Sequence, residues 1–263
     1  MQRIWQSAAD GWRQWSPIFQ RWLQPASETA LDMAGIRAGM RVLDVAAGDG
    51  GLSTAAAARV GPSGSLLAVD FSANMLAYAA QEAARNGLAH MQTRLMDAED
   101  LRDAEDLRLP SGRFDAVLCR AALHLFPDPL RALREALRVL KPGCQYVAVV
   151  FTTPERNPFF SLPWQHTAAP SAEPAVFRLG GRGVLEGLFS RAGFRCVETR
   201  IRAAPLRMQS AAECLKWQQR LFHLIHPNRP SPDWDRAASA LTAYQTGGAF
   251  ELPGEVLIAA GCL

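Results

Sequence analysis

Between residues 28 and 151, short apolar runs alternate with helix-length amphipathic runs, and no other feature of this 263-residue chain limits its fold so tightly. Arg41 to Ala46 reads as a buried strand, Leu52 to Val60 as an alanine-rich helix stopped by Gly61-Pro62, and Ser65 to Asp70 as a second strand. Ser72 stands as N-cap to a helix over Ala73–Arg85, which Asn86-Gly87 ends. Met91–Met96 and Phe114–Cys119 follow as third and fourth strands. Asp128-Pro129 opens a helix over Leu130–Leu140, Pro142-Gly143 stops it, and Gln145–Phe151 is a fifth strand. Strands apolar on both faces are buried only when helices cover both sides of a parallel sheet.

After Phe151 the rhythm changes. Thr152 to Gly183 is rich in proline and aromatic residues and too long for a simple connection, which predicts a functional loop or lid. The helix Val184–Ala192 and the strand Phe194–Arg202 return to the core; helices over Ser210–Ile225 and Asp233–Thr246 and a last strand, Glu255–Ala260, complete the chain. The expected fold is therefore α/β, a doubly wound, mostly parallel seven-stranded sheet with a helical cap. Residues 1–24, with Trp5, Trp12, Trp15, Phe19 and Trp22, form an amphipathic leader that either packs on the core or covers a ligand. The expected division is an N-terminal helical lid (1–27), an α/β core (28–151), and cap insertions plus C-terminal strands of the same sheet (152–263). Asp97-Ala-Glu-Asp-Leu-Arg102 is repeated unchanged as Asp103 to Arg108; six residues are too few for a repeat architecture, so this reads as a tandem duplication within one loop.

Composition narrows the function. The net charge is +3, only Lys141 and Lys216 are lysines, and the charges are mixed along the chain, so there is no footprint for nucleic acid. No apolar run approaches the ~18 residues of a membrane helix, and the first residues lack the apolar core of a signal peptide. Five cysteines, an odd count with no C-x-x-C spacing, predict reduced thiols in a cytoplasmic protein, and no ligand cluster has metal spacing. Oligomeric state stays open, a homodimer among the options.

The most informative stretch is Val42-Leu-Asp-Val-Ala-Ala-Gly-Asp-Gly-Gly51, a strand running through a glycine turn into a helix. Gly48 and Gly50 let the backbone turn tightly and approach a ligand closely. About twenty residues on, Asp70 ends the second strand, where a carboxylate can grip both hydroxyls of a ribose. Together these predict a nucleoside-containing ligand. From Ala46 the register is A-x-G-x-G-G, and Asp44 would repel a pyrophosphate while suiting a cationic amino-acid group. A nicotinamide dinucleotide is thus the runner-up.

These residues resemble the class I S-adenosylmethionine-dependent methyltransferases, in the small-molecule branch related to the ubiquinone/menaquinone-biosynthesis methyltransferases. The resemblance covers residues 28–151 and, more loosely, the C-terminal strands. It rests on Asp44-x-Ala46-x-Gly48-Asp49-Gly50, with Ala46 in place of the usual first glycine, and on Asp70-Phe71-Ser-x-x-Met75. Phe114 to Asp128 and Lys141-Pro-Gly-Cys144 also match, with Cys144 replacing a final glycine. The resemblance implies S-adenosyl-L-methionine as cofactor, held by the Asp44–Gly50 turn, with Asp70 on the ribose and Phe71 and Met75 flanking the adenine. The family's adenine-binding Asp-Ala pair has two copies here, Asp97-Ala98 and Asp103-Ala104. A loop absorbs six extra residues at little entropic cost whereas strand geometry fixes the pair, which selects Asp97 and Ala98. Arg120 occupies a small or hydroxyl position at the cofactor's methionine end; its side chain turns toward the cofactor carboxylate, toward the substrate, or into a structural ion pair.

Methyl transfer to such a family's acceptor is an in-line displacement that needs alignment and exclusion of water, and a base only if the acceptor must lose a proton. His124, just after the fourth strand, is the first candidate base and His166 the second; a histidine hydrogen-bonded within its loop is the competing account. His223 and His226 near a helix end are expected to cap it or face solvent, and the five cysteines to lie mostly on core elements as inert thiols. The aromatic cap suggests a hydrophobic or aromatic small-molecule acceptor in secondary metabolism. An NAD(P)-dependent oxidoreductase and a non-catalytic S-adenosylmethionine-binding protein are the alternatives, and whether O, N, C or S is methylated stays open.

Overall fold

The computed structural model describes residues 2–98, 109–167, 174–226, 229–246 and 248–263. Its central sheet contains β1 (Arg41–Val45), β2 (Ser65–Asp70), β3 (Met91–Leu95), β4 (Phe114–Arg120), β5 (Leu140–Phe151), β6 (Arg195–Ala203) and β10 (Glu255–Cys262). The strand order is β3-β2-β1-β4-β5-β10-β6. The first five strands pair in parallel, and β10 runs antiparallel between β5 and β6. One apolar layer joins this sheet to α1 (Gln2–Met33), α2 (Gly51–Val60), α3 (Ala73–Arg85), α5 (Pro158–Gln165) and α7 (Ala211–Ile225). The layer on the opposite face joins it to α4 (Pro129–Val139) and α6 (Val184–Ala192). The expected doubly wound, mostly parallel seven-stranded sheet is what the chain forms.

Local capping explains why these segments are helical. The Ser72 hydroxyl accepts from the Met75 N–H at 3.4 Å at the start of α3. Asp128 accepts from Arg131 N–H at 3.0 Å ahead of Pro129, and Ser210 accepts from Glu213 N–H at 3.1 Å. α4 ends at Val139, earlier than Pro142-Gly143 suggests, and β5 begins at once. A register shift between Phe114 and Ala116 absorbs the Lys141–Cys144 turn. Asp115 pins this corner, accepting from Arg41 N–H at 2.8 Å and from Lys141 Nζ at 2.5 Å.

Three segments depart from expectation. The leader helix continues through Pro17 and Pro25 to Met33 and buries Trp15, Trp22, Leu23, Ala26, Ala30 and Leu31. Residues 152–183 are not a bare loop: Pro158 starts α5, whose Phe159 and Leu162 are buried in the apolar layer that contains α1 and α7. Finally, α8 (Trp234–Thr242) stops short of Thr246. A small antiparallel sheet of β7 (Leu206–Met208), β9 (Ala249–Leu252) and β8 (Gln245–Thr246) occupies this end of the chain, its strands too short to leave a periodic signal.

Candidate active site

Strand order reverses between β1 and β4, and in an open α/β sheet such a switch point makes a crevice at the carboxyl ends of the strands. The turn after β1 carries three left-handed residues: Ala46 at φ +54°, Gly48 at +56° and Gly50 at +88°. Ala121, after the neighbouring β4, repeats the alanine conformation at +54°. An L-residue there costs roughly 1–2 kcal/mol, so strain is concentrated at the crevice. Gly50 is required by packing as well as by φ, because a Cβ there would fall 2.8 Å from the Ala79 Cβ. At Gly48 a Cβ would meet nothing within 4 Å; its N–H points instead at Asp70 Oδ2, 3.0 Å away.

Asp70 is buried, and its Oδ1 also accepts from Ser72 N–H at 2.8 Å. Burial pushes its carboxyl up, against the backbone N–H groups of Ser72, Gly48 and Phe71. A carboxylate has about four acceptor sites, and with three backbone N–H groups donating, one remains for a ribose hydroxyl. Half-buried Phe71 and buried Met75 follow at the start of α3. Asp97 is exposed and Ala98 buried directly after β3. The second copy, Asp103-Ala104, lies outside the described residues.

Asp44, on β1, is buried and accepts from Ser53 Oγ at 2.5 Å. Burial raises its pKa to about 7, with the Ser53 bond and the positive charge of Arg120 opposing. A carboxyl balanced between neutral and charged fits a cationic ammonium, which restores the charged form on arrival. Folding stability follows the same balance. The folded pKa exceeds the unfolded 3.8, so the contribution of the neutral carboxyl is complete below pH 3.8 and lost as pH rises to about 7. Asp44→Asn should therefore gain on wild type, on the order of 2–4 kcal/mol between pH 4 and pH 8, in urea unfolding. A difference independent of pH would contradict this.

The Arg120 side chain turns toward α1. Its guanidinium donates to Gln20 Oε1 at 2.6 Å and Ser27 Oγ at 2.8 Å on α1, and lies 5.8 Å from the Phe19 ring centroid. Burial lowers its pKa while Asp49 and Asp44 support the charge. Asp49 in turn accepts from Gln20 Nε2 at 2.8 Å and Trp12 Nε1 at 3.2 Å. Thus α1 is tied to the glycine turn and to Arg120 by Trp12, Gln20 and Ser27. None of the three was singled out by sequence for this role, although Gln20 is a polar residue beside an aromatic stripe.

Next to this crevice is a cavity of about 120 Å³, walled by α1, the segment after β4, α5 and α7. His124 lies on its wall, 2% exposed, with Nδ1 lacking a hydrogen-bond partner. Burial and the charge of Arg178 lower its pKa to about 3, so the ring is neutral at physiological pH. His166 is elsewhere: it caps α5, and its carbonyl accepts from Asp233 N–H at 2.8 Å. His226 caps α7 as expected, its N–H donating to the Phe222 carbonyl at 2.8 Å, and its ring also lines the cavity against Trp164 and Phe222. Gln218 and Trp217 on α7 are wall residues that α7's apolar periodicity does not distinguish from core. Cys119 and Cys214 are buried, burial raising the Cys119 thiol to about 12, but Cys196 is exposed rather than a core thiol.

Residues 36–174 match the family described as a methyltransferase domain. Over 127 residues, 48% of either chain, the sequence is 32% identical to the ubiquinone/menaquinone biosynthesis C-methyltransferase UbiE of Pseudomonas aeruginosa; the alignment spans about half the length of that relative. Over 247 residues, 86% of either chain, it is 30% identical to nocamycin O-methyltransferase of Saccharothrix syringae. The fold matches that of the YcgJ protein from Bacillus subtilis with a TM-score of 0.63 at 22% identity, covering 91% of this chain and 98% of the other. The chain belongs to the class I S-adenosylmethionine-dependent methyltransferases related to UbiE. That family implies S-adenosylmethionine as cofactor, and the residues at the crevice fit it: an acid ready to meet an ammonium, a glycine turn open on the ligand side, and a strand-end carboxylate with an acceptor site to spare.

Proposed function

We propose that the protein methylates a hydrophobic or aromatic small molecule of secondary metabolism by direct in-line transfer from S-adenosylmethionine. The supporting observation is the aromatic cavity beside the cofactor crevice, with His124 among its lining residues. In this reading residues 28–151 form the cofactor core, while residues 1–27 and the cap insertions within 152–263 close over the acceptor.

The cofactor, when bound, supplies an electrophilic methyl group on a sulfonium. Asp70 holds a ribose hydroxyl, Phe71 and Met75 enclose the adenine, and Asp97 with Ala98 meets its edge. Asp44 balances the ammonium, while Ala46, Gly48, Asp49 and Gly50 shape the turn against the methionine portion. Arg120, released from Gln20, is in place to meet the carboxylate. The aromatic wall orients the acceptor and excludes water. A base with a pKa of about 3 does not strip a proton from a free hydroxyl. His124 instead accepts a hydrogen bond from it, and takes the proton as methylation makes that oxygen strongly acidic.

The test combines titration calorimetry with S-adenosylhomocysteine and label transfer from methyl-labelled S-adenosylmethionine to neutral phenols, charged amines, peptide and RNA. Micromolar cofactor binding and label in the phenols alone are expected, with His124→Phe lowering kcat by about 10²-fold or more. A folded protein without cofactor affinity would remove the proposal, and label in peptide or RNA would remove its small-molecule part.

A further inference from the structure

Three non-glycine residues are left-handed among those described. Ala46 and Ala121 stand at the cofactor crevice; the third, Cys196 at φ +49°, is on β6, the edge strand of the sheet. There Arg195 pairs with Cys262 and Glu198 with Ala260, so Cys196 and Val197 together oppose Gly261 in a β-bulge. Bulges of this form place glycine at the left-handed position, and a cysteine holds it only under strain. Packing fixes the bulge from the other side, since a Cβ on Gly261 would fall 2.9 Å from Phe189 Cδ1.

Cys196 is exposed, and its side chain is hydrogen-bonded to the thiol of Cys262, which is half-buried on β10. Two sulfurs thus meet across neighbouring strands at the bulge. The Cys196 bond pushes the Cys262 thiol up; burial and the Cys196 charge add to this, while the Cys262 backbone N–H and Arg195 oppose it. Cys262 therefore keeps its proton and donates it to the Cys196 sulfur, and Cys196 is the sulfur open to solvent. Of the other thiols, Cys119 and Cys214 are buried and Cys144 is half-buried on β5.

We propose that Cys196 and Cys262 are a reversible modification site, at which a peroxide joins the two thiols as a disulfide. The Cys196 sulfur takes one peroxide oxygen, an S–O bond forming as the O–O bond breaks, and water leaves. The Cys262 sulfur then displaces that oxygen as a second water and forms the S–S bond. Two electrons pass from the thiols to the peroxide, and both thiol protons leave in the waters. The bond closes residues 197–261 into a loop and fastens the start of the edge strand to β10. Exposed disulfides are the readily reduced ones, so two equivalents of a small thiol reopen it and leave as their own disulfide. The site needs neither cofactor nor acceptor and is independent of the proposed function.

The experiment is intact-mass and peptide-mass analysis of the reduced full chain after equimolar hydrogen peroxide. A loss of about 2 Da, mapped to a Cys196–Cys262 link and reversed by millimolar glutathione, is expected. Cys262→Ser should stop at the sulfenic acid on Cys196, about 16 Da heavier and trapped by dimedone. Cys196→Gly, which suits the left-handed position, should fold and show no such loss. Absence of the link in wild type would overturn the proposal, as would a link to another cysteine or to a second copy of the chain. A loss of about 2 Da that persists in Cys196→Gly would do the same, and so would a bond that glutathione does not reopen. If Cys262→Ser does not fold, the wild-type peptide map and Cys196→Gly decide.

Discussion

Asp70→Ala should lower the affinity for S-adenosylhomocysteine by about 10²-fold or more in titration calorimetry. A charge-assisted hydrogen bond to a ribose hydroxyl is lost, contributing about 1.5–3 kcal/mol. The carboxylate also organises its own surroundings, because Gly48 N–H and Ser72 N–H both donate to it. Removing it therefore loosens the glycine turn and the cap of α3 as well. Asp70→Asn separates the two contributions: one amide oxygen can keep a backbone bond, and affinity should fall by only about tenfold. Asp97→Ala should weaken binding by about tenfold, whereas Asp103→Ala leaves it unchanged if the copy adjoining β3 is the one used. Equal losses in the two would contradict that assignment, and an unaltered affinity in Asp70→Ala would remove the ribose role.

Trp22→Ala carries the largest expected loss of stability, roughly 4 kcal/mol in urea or thermal unfolding. The ring is 4% exposed. Its centroid lies 5.4 Å from Phe151, 5.3 Å from Phe159, 5.8 Å from Phe160 and 6.0 Å from Trp217. One side chain thus joins α1, β5, α5 and α7. Its Nε1 also donates to the Ala204 carbonyl at 2.5 Å, where the chain leaves β6. Trp22→Phe retains a ring but loses that bond, and should cost roughly 1–2 kcal/mol. A Trp22→Ala variant as stable as wild type would mean that α1 contributes little to the core.

The contrast between the legible and illegible parts has a physical basis in range. Ser72 and Asp128 were readable as caps because each hydrogen-bonds an N–H three residues away. Asp44, Gly48, Gly50 and Asp70 were readable because a strand, a turn and a helix hold them in one local unit. The parallel strands were readable because burial on both faces leaves continuous apolar runs. The unread contacts reach further. Gln20 meets Asp49 across 29 positions and Arg120 across 100, and Gln218 meets Phe159 across 59. Their partners depend on how α1, α5 and α7 dock, which helical periodicity does not encode. The same reason explains why His226 faced the cavity and His166 did not, although both stand near helix ends.

The docking of α1 has one more consequence. Trp12 and Phe19 form part of the wall of the proposed acceptor cavity, while Trp12, Gln20 and Ser27 hold Asp49 and Arg120 beside the cofactor crevice. A single rigid body is thus read by both ligands, and a shift of α1 made for one alters the free energy of binding the other. Thermodynamic linkage makes this reciprocal: whatever factor the cofactor adds to acceptor affinity, the acceptor adds to cofactor affinity. With a coupling of the usual 1–3 kcal/mol, product and spent cofactor would strengthen each other's hold, and turnover would be governed by which of them departs first.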